Sequence, residues 1–551
     1  MNKSFITSLG CTLMISFHLH AGDPALAKAI DLFEAGMYPA AQRYFKTQTA
    51  SGEAYYYLGE IAFIEGKADS ASFYYDKGLA TDPPFMLCYV GKGKLMLKSN
   101  VKEAEATMQK AFTDKASKKD PAIYTAIGNA YAANKMNDKA KDFFKQASGI
   151  DRNYAGSYIA EGNMLMAEEK VNDASNKYDM AAFQDKKNKL SRLKLAEIYF
   201  HVNPDQALTT LNELMAIDPN YAPAYRLLGE LYYANGQAGK VGEMEKAGEA
   251  YSKFLSFGYG TPADYSRYAT ILFFNKDYKG SLAEVRKALS KNPDNLIMKR
   301  LLGYNLFEIE EHESALDAMT AFMNDPKSTH IPTDFRYFAR ILRKNKQDSM
   351  SIDYYSKALE LDQANKSDIL KEMAQAYESM KKYAMAGLFY EQYIESIKDD
   401  AVATDYFTCG KAFYNAGQRI KLIAAVDSIE QIRLFQKADE KFAIVAERIS
   451  TSHLGNFWRA RVQTNLDPES TQGLAKPYYE QAMAILEINP SKYPNDLFEC
   501  YKYLGYYYYV QENKETSLSY LSKAQAISPN DPQVNELYKY LTQPVPKPQK
   551  K

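Results

Sequence analysis

At 551 residues the chain exceeds what one hydrophobic core usually organises, so several domains or a repeat array are expected. Apolar residues at 46% and charged residues at 25% exclude a disordered chain. The 68 basic residues balance 68 acidic ones, which excludes a global pull toward nucleic acid or anionic membrane and leaves charge-driven binding to local patches.

In chain order, the first element reads as an export signal. Met-Asn-Lys gives a basic start, Ser4 to Phe17 is an uncharged and largely apolar run, and Leu19-His20-Ala21 places a small residue before Gly22-Asp23-Pro24. Residues 1–21 are therefore expected to be a signal peptide, the run being too short for a membrane span. Periplasmic delivery is the expectation; secretion, or an outer-membrane lipoprotein anchored through Cys11 of Ser8-Leu9-Gly10-Cys11, is the alternative. The apolar TLMISF after Cys11 argues against lipidation, because a lipidated N-terminus should turn polar. No later stretch reaches spanning length without charges, so no transmembrane segment is expected. Cys88, Cys409 and Cys500, odd in number and far apart, read as buried apolar residues and not as a disulfide framework.

A Leu-Gly-like slot recurs from there to the C-terminus. Glycine fills it at Gly59, Gly91, Gly128, Gly162, Gly229, Gly303, Gly410 and Gly505; alanine or glycine equivalents stand at Ala29, Ala196, Ala269, Ala339, Ala374 and Ala460. The step is 34 residues from Gly128 to Gly162 and from Gly162 to Ala196, a period that signals a helical solenoid. About twelve residues after each slot comes Ala or Ser, from Ala41 and Ala71 through Ser281, Ser351 and Ser517. Four residues later stands a bulky side chain, as in Phe45, Tyr75, Phe144, Tyr178, Tyr251, Tyr355, Tyr390, Phe442, Tyr479 and Leu521. Small residues allow two helix backbones to approach, and a bulky one a turn later fills the groove beside them. Prolines at 83, 219, 293 and 529 close several units.

These markers resemble the tetratricopeptide repeat, two antiparallel helices per unit, over about Pro24 to Leu541. The resemblance implies an all-α, right-handed superhelical solenoid of about fourteen helix-turn-helix units. Residues 24–410 hold units one to about twelve, 411–452 are an extended or inserted helical stretch, 453–530 hold the last units, 531–542 form a capping helix, and 543–551 a disordered tail. The segment from Trp458 to Ala482 is similar to a variant unit of exported bacterial members of the family. Tyrosine is abundant, 45 residues against one tryptophan, because it stands where the pattern asks for Trp or Tyr; Tyr501 to Tyr509 is therefore a first helix and not a strand.

No catalytic constellation accompanies the repeats. His201, His312, His330 and His453 are scattered, no H-E-x-x-H or C-x-x-C occurs, and neither a phosphate-binding loop nor a nucleophile elbow is present. Neither an enzyme, nor a cofactor, nor a metal site is expected. By the resemblance, groove-facing positions lie three before, one after and four after each slot. They give a basic stripe, Arg300, Arg336, Arg340, Arg343, Lys371 and Lys411, suited to a carboxylate-rich segment; the rival reading is a solvated face met by nearby Asp and Glu. They also give aromatic residues Tyr233, Phe273, Tyr304, Phe307, Tyr506 and Tyr509, the material of interface anchors or of core. The carboxylate clamp of chaperone-binding family members is incomplete: Asn129 fits, but Thr125, Ala160 and Leu190 stand where clamp residues should be. The expected function is a non-catalytic scaffold in the bacterial envelope, binding an extended acidic peptide or a partner protein along its groove; the alternative is a carbohydrate- or peptidoglycan-binding envelope protein.

Overall fold

The structure, a computed structural model, describes residues 23–48, 50–420 and 425–543. The expected signal segment, Cys11 and nearly all of the basic tail lie outside the described residues. Among the described residues there are twenty-nine α-helices and no strand. They alternate as first and second helices: Pro24–Glu34 with Tyr38–Phe45, Gly52–Ile64 with Ala68–Leu79, and onward to Pro494–Val510 with Lys514–Ile527, with Pro532–Thr542 last. These are fourteen pairs and a terminal helix, with every slot residue from Ala29 to Gly505 in a first helix. Asp, Asn, Ser or Thr side chains accept the first free amides of many helices, as Ser51 does from Ala54 at 3.2 Å and Asp531 from Val534 at 2.9 Å. In the twelfth pair the first helix, Ala403–Arg419, is followed by a second helix of 24 residues, Ala425–Arg448. Cys88, Cys409 and Cys500 are free and buried.

One contact repeats along the chain. The ring at the bulky position lies flat against the small slot of its own first helix: Tyr75 on Gly59, Phe144 on Gly128, Tyr178 on Gly162, Tyr251 on Gly229, Phe442 on Gly410. A methyl group at Gly162 would stand 2.6 Å from the Tyr178 ring. At two of the three serines that replace alanine in the second helix, the hydroxyl donates to the slot carbonyl across the pair, Ser281 to Ala269 and Ser517 to Gly505, both at 2.8 Å; Ser351 donates instead to the Asp348 carbonyl of its own helix at 2.7 Å. The small residues thus set the distance between helices, and the ring fills what that distance leaves.

Contacts divide the chain into two compact parts, ending at Asn305 and beginning at Leu306. In the N-terminal part the first pair returns to later ones. Lys189 Nζ bridges Asp31 at 2.5 Å and Asp218 at 3.3 Å, Arg43 Nη2 donates to the Gly258 carbonyl at 2.8 Å, and Lys28 lies over the rings of Tyr44 and Tyr259. A solenoid unit ordinarily touches only its neighbours; here the chain winds back on itself within eight pairs. Among the inward slots of the first five pairs, Tyr56, Glu60, Thr125, Asn129 and Ile159 are consequently buried. In the C-terminal part, pairs stack on their neighbours around Phe413, Phe435 and Phe442, then around Tyr479, Tyr503 and Leu521.

The ring-on-glycine contact is testable. Gly162→Val should lower stability by about 2 kcal/mol, the usual cost of overpacking, read as an earlier urea midpoint at unchanged slope; Gly149→Ala, where an added methyl meets nothing within 4 Å, should lower nothing.

Candidate functional site

In the C-terminal part, helix Pro332–Lys344 begins with proline at its first turn, and the Asp334 carboxylate accepts the Ile331 amide at 2.7 Å. Arg336, Arg340 and Arg343 follow at i, i+4 and i+7 on one face. The next first helix, Lys366–Ser379, sets Asp368, Glu372 and Gln375 opposite them. Arg336 Nη2 donates to Glu372 at 2.8 Å and to Asp368 at 3.1 Å, and Arg340 donates to the same Glu372 carboxylate. Burial pushes the Glu372 carboxyl up, but its hydrogen bonds with Arg340 and Arg336 outweigh that and hold it below the ordinary glutamate value. Arg343 is different. Its Nη1 donates to the Gln375 side-chain carbonyl at 3.1 Å, its guanidinium lies beside the Tyr355 hydroxyl, and among the described residues no carboxylate is within ion-pair distance.

The Arg336 and Arg340 pairs belong to a ladder. Arg226 meets Asp264 at 2.6 Å, Lys371 meets Asp405 at 3.7 Å, Arg461 meets Glu499 at 2.7 Å and Lys502 meets Asp531 at 3.0 Å. In each, a cation on one first helix reaches an acid early in the next first helix or in the terminal helix. Three of the six stripe residues, Arg336, Arg340 and Lys371, therefore staple neighbouring units together.

A pocket of about 750 Å³ opens beside Arg343, walled by Phe307, Glu308, Arg340, Tyr355, Glu372 and Gln375. Tyr355 is fully buried and its hydroxyl has no hydrogen-bond partner. The reason lies in the repeat. Tyrosine at this position donates to the side chain just after the slot in other pairs, Tyr75 to Glu60 at 2.8 Å and Tyr178 to Asn163 at 2.7 Å. In the tenth pair that neighbour is Arg340, which has no acceptor to offer. Burial, with the Glu372 charge nearby, raises the phenol's pKa, so it stays protonated and can donate.

The structure brings Phe307, Arg340 and Arg343 to this pocket and Arg336 to its edge. Lys371 lies over the Tyr393 ring and Lys411 over Trp458, each outside it. Tyr233 and Tyr304 are buried, so these two groove candidates act as packing; Arg267 covers the Tyr233 ring, and Phe273 packs on Tyr304 at 5.8 Å. Arg300 is half-buried on helix Leu296–Glu308. Tyr506 is exposed and Tyr509 half-exposed, joined by Tyr540 at 6.0 Å from Tyr509. Tyr501 donates to Glu487 at 2.7 Å and Tyr503 stacks on Tyr479, so both pack. Trp458 is packed edge-on against Phe407 and Tyr414 and offers no open sugar platform. Glu372, Gln375 and Tyr355 were not anticipated as site residues. The Tyr355 signal was present in the sequence, as an arginine where its siblings have Glu or Asn.

Paired helices with a small slot, a facing Ala or Ser and a ring between them define a helical-hairpin repeat protein. Residues 121–154, which contain helices Pro121–Ala133 and Asn137–Ile150, match the family model for the tetratricopeptide repeat. Such arrays are protein-interaction scaffolds and typically non-catalytic. The chain is 25% identical over 196 residues to anaphase-promoting complex subunit 3 of Schizosaccharomyces pombe, covering 35% of this chain and 29% of that one. Among solved structures it is similar to the C-terminal part of a repeat-containing protein from Cytophaga hutchinsonii, at 23% identity, 49% of this chain, 98% of that chain and TM-score 0.38. It is also similar to a tetratricopeptide repeat protein from Parabacteroides merdae, at 16% identity, 46% of this chain, 97% of that chain and TM-score 0.30. Among the described residues, no helix is long and apolar enough to cross a membrane.

Glu372→Gln should destabilise the C-terminal part by about 2 kcal/mol, because two half-buried guanidinium groups lose their shared anion. A depressed folded-state pKa contributes stability above the unfolded value, about 4.5, that is lost as pH falls through the folded one. Urea midpoints of the wild type should therefore decline on acidification below that range, and those of the variant should decline less.

Proposed function

We propose that this chain is an exported, non-catalytic scaffold that holds an extended acidic peptide segment on the inward face of its C-terminal part. The observation that carries this reading is the pocket at Arg343: a guanidinium without an anion, beside Lys344 and Lys346, in a cavity large enough for several side chains. Most inward slots of the early pairs are buried, as at Tyr56, Glu60, Thr125, Asn129 and Ile159, whereas Arg340, Arg343, Lys371 and Lys411 are all partly open to solvent. Arginine suits such a ligand because its planar fork can grip a carboxylate with two hydrogen bonds. The basic start and apolar run of residues 1–17 support export to a bacterial envelope.

Arg343→Glu should weaken binding of a fluorescent glutamate-rich peptide at least tenfold in anisotropy titrations, without lowering the melting temperature, since Arg343 supports no ion pair. Equal affinity in wild type and variant would remove the acidic-peptide reading. Expressed in a bacterial host, the full chain should yield a mature protein whose N-terminal sequence begins at Gly22; an intact N-terminus at Met1 would remove the export reading.

A further inference from the structure

The pocket's charge and a buried unmatched hydroxyl narrow what it takes. Four cations line it, Arg340, Arg343, Lys344 and Lys346, against three carboxylates, Glu308, Asp348 and Glu372. One positive charge in excess matches a monoanion, and the three carboxylates oppose a phosphate dianion. Glu372 already holds Arg340, and Glu308 accepts the Tyr337 hydroxyl at 2.7 Å, so the donors left for a ligand are Arg343, Lys344, Lys346, the Gln375 amide and the Tyr355 phenol. The phenol is the informative one. Tyr75, Tyr178, Tyr251, Tyr390 and Tyr479, its equivalents in other pairs, each donate to a carboxylate or amide oxygen of the protein. Tyr355 alone among these six lines a pocket with its hydroxyl unmatched, and an unmatched buried donor is costly enough to call for a reason.

We propose that Arg343 and the Tyr355 hydroxyl form a subsite for one side-chain carboxylate of the bound chain, a specificity element that rests on the acidic-peptide reading above. Arg343 supplies charge and a pair of N–H donors, and the phenol adds a third donor from the pocket wall. Removing the hydroxyl alone separates this role from a structural one. Because no described protein group accepts that hydroxyl's proton, Tyr355→Phe should melt near or above the wild-type temperature, while a hydroxyl built into the fold would make the variant melt lower.

The test is isothermal titration of the full chain, its Tyr355→Phe variant and its Arg343→Gln variant with N-acetyl, C-amidated hexaglutamate, hexaglutamine and a hexaglutamine bearing a free terminal carboxylate. The expected result is that wild type binds hexaglutamate and neither glutamine peptide, that Tyr355→Phe binds hexaglutamate about tenfold more weakly, and that Arg343→Gln binds more weakly still. If Tyr355→Phe binds as wild type while Arg343→Gln does not, the subsite is overturned and the acidic-peptide reading stands. A Tyr355→Phe variant that melts lower assigns the hydroxyl to the fold and also overturns the subsite. Tight binding of the free-acid hexaglutamine would overturn the side-chain assignment in favour of a chain terminus. If wild type ignores hexaglutamate, or neither substitution weakens it, the acidic-peptide reading fails together with the subsite.

Discussion

A ring lying against a glycine or alanine is the contact on which the rest of the molecule depends. The slot at Gly59, Gly128 or Gly162 has no room for a longer side chain because Tyr75, Phe144 or Tyr178 already occupies the space a Cβ would need. That contact sets how closely the two helices of a pair approach, and the separation decides which faces remain for the neighbouring pair. It also explains the abundance of tyrosine. A phenol at the ring position buries its body in the hairpin and can carry its hydroxyl to a polar side chain just beyond the slot, as Tyr75 does with Glu60.

The two parts use the same hairpin to different ends. In the N-terminal part, the Asp31–Lys189 bridge and the Arg43 bond to Gly258 join residues more than 150 positions apart, which turns a chain of neighbour contacts into a closed, cooperative body. Inward positions there are filled by protein. In the C-terminal part, the inward face of the tenth to twelfth pairs stays partly open, and cations that sequence spacing places on it are mostly bound by acids of the next helix. An ion pair at a half-exposed site contributes modestly to stability. Its greater effect here is to remove charge from the groove, so that Arg343 stands out against a largely neutralised background.

Sharing of a helical face by Arg336, Arg340 and Arg343 was legible because i, i+4 and i+7 fall together on any α-helix. The anion they would meet was not legible. Glu372 lies in the following unit, and whether it, Asp368 or solvent faces Arg340 depends on the rotation between neighbouring first helices. Periodicity equally failed to separate pocket-lining aromatics from packed ones: Tyr304 and Phe307 are three residues apart on one helix, yet only the first is buried. Tyr355 shows the reverse case, a functional candidate hidden inside the packing pattern and detectable only by asking what each ring hydroxyl bonds to.

The sequence by itself determined the hairpin and its number, because small slots, facing Ala or Ser, rings and caps are local signals read within one repeat. The 24-residue helix Ala425–Arg448 was resolved only by the structure. Tertiary structure alone decided the return of the first pair onto the sixth and seventh, the pairing of Arg336, Arg340 and Lys371, and the pocket beside Arg343. Those outcomes accumulate from small rotations between successive units, and no single repeat's residues encode the sum.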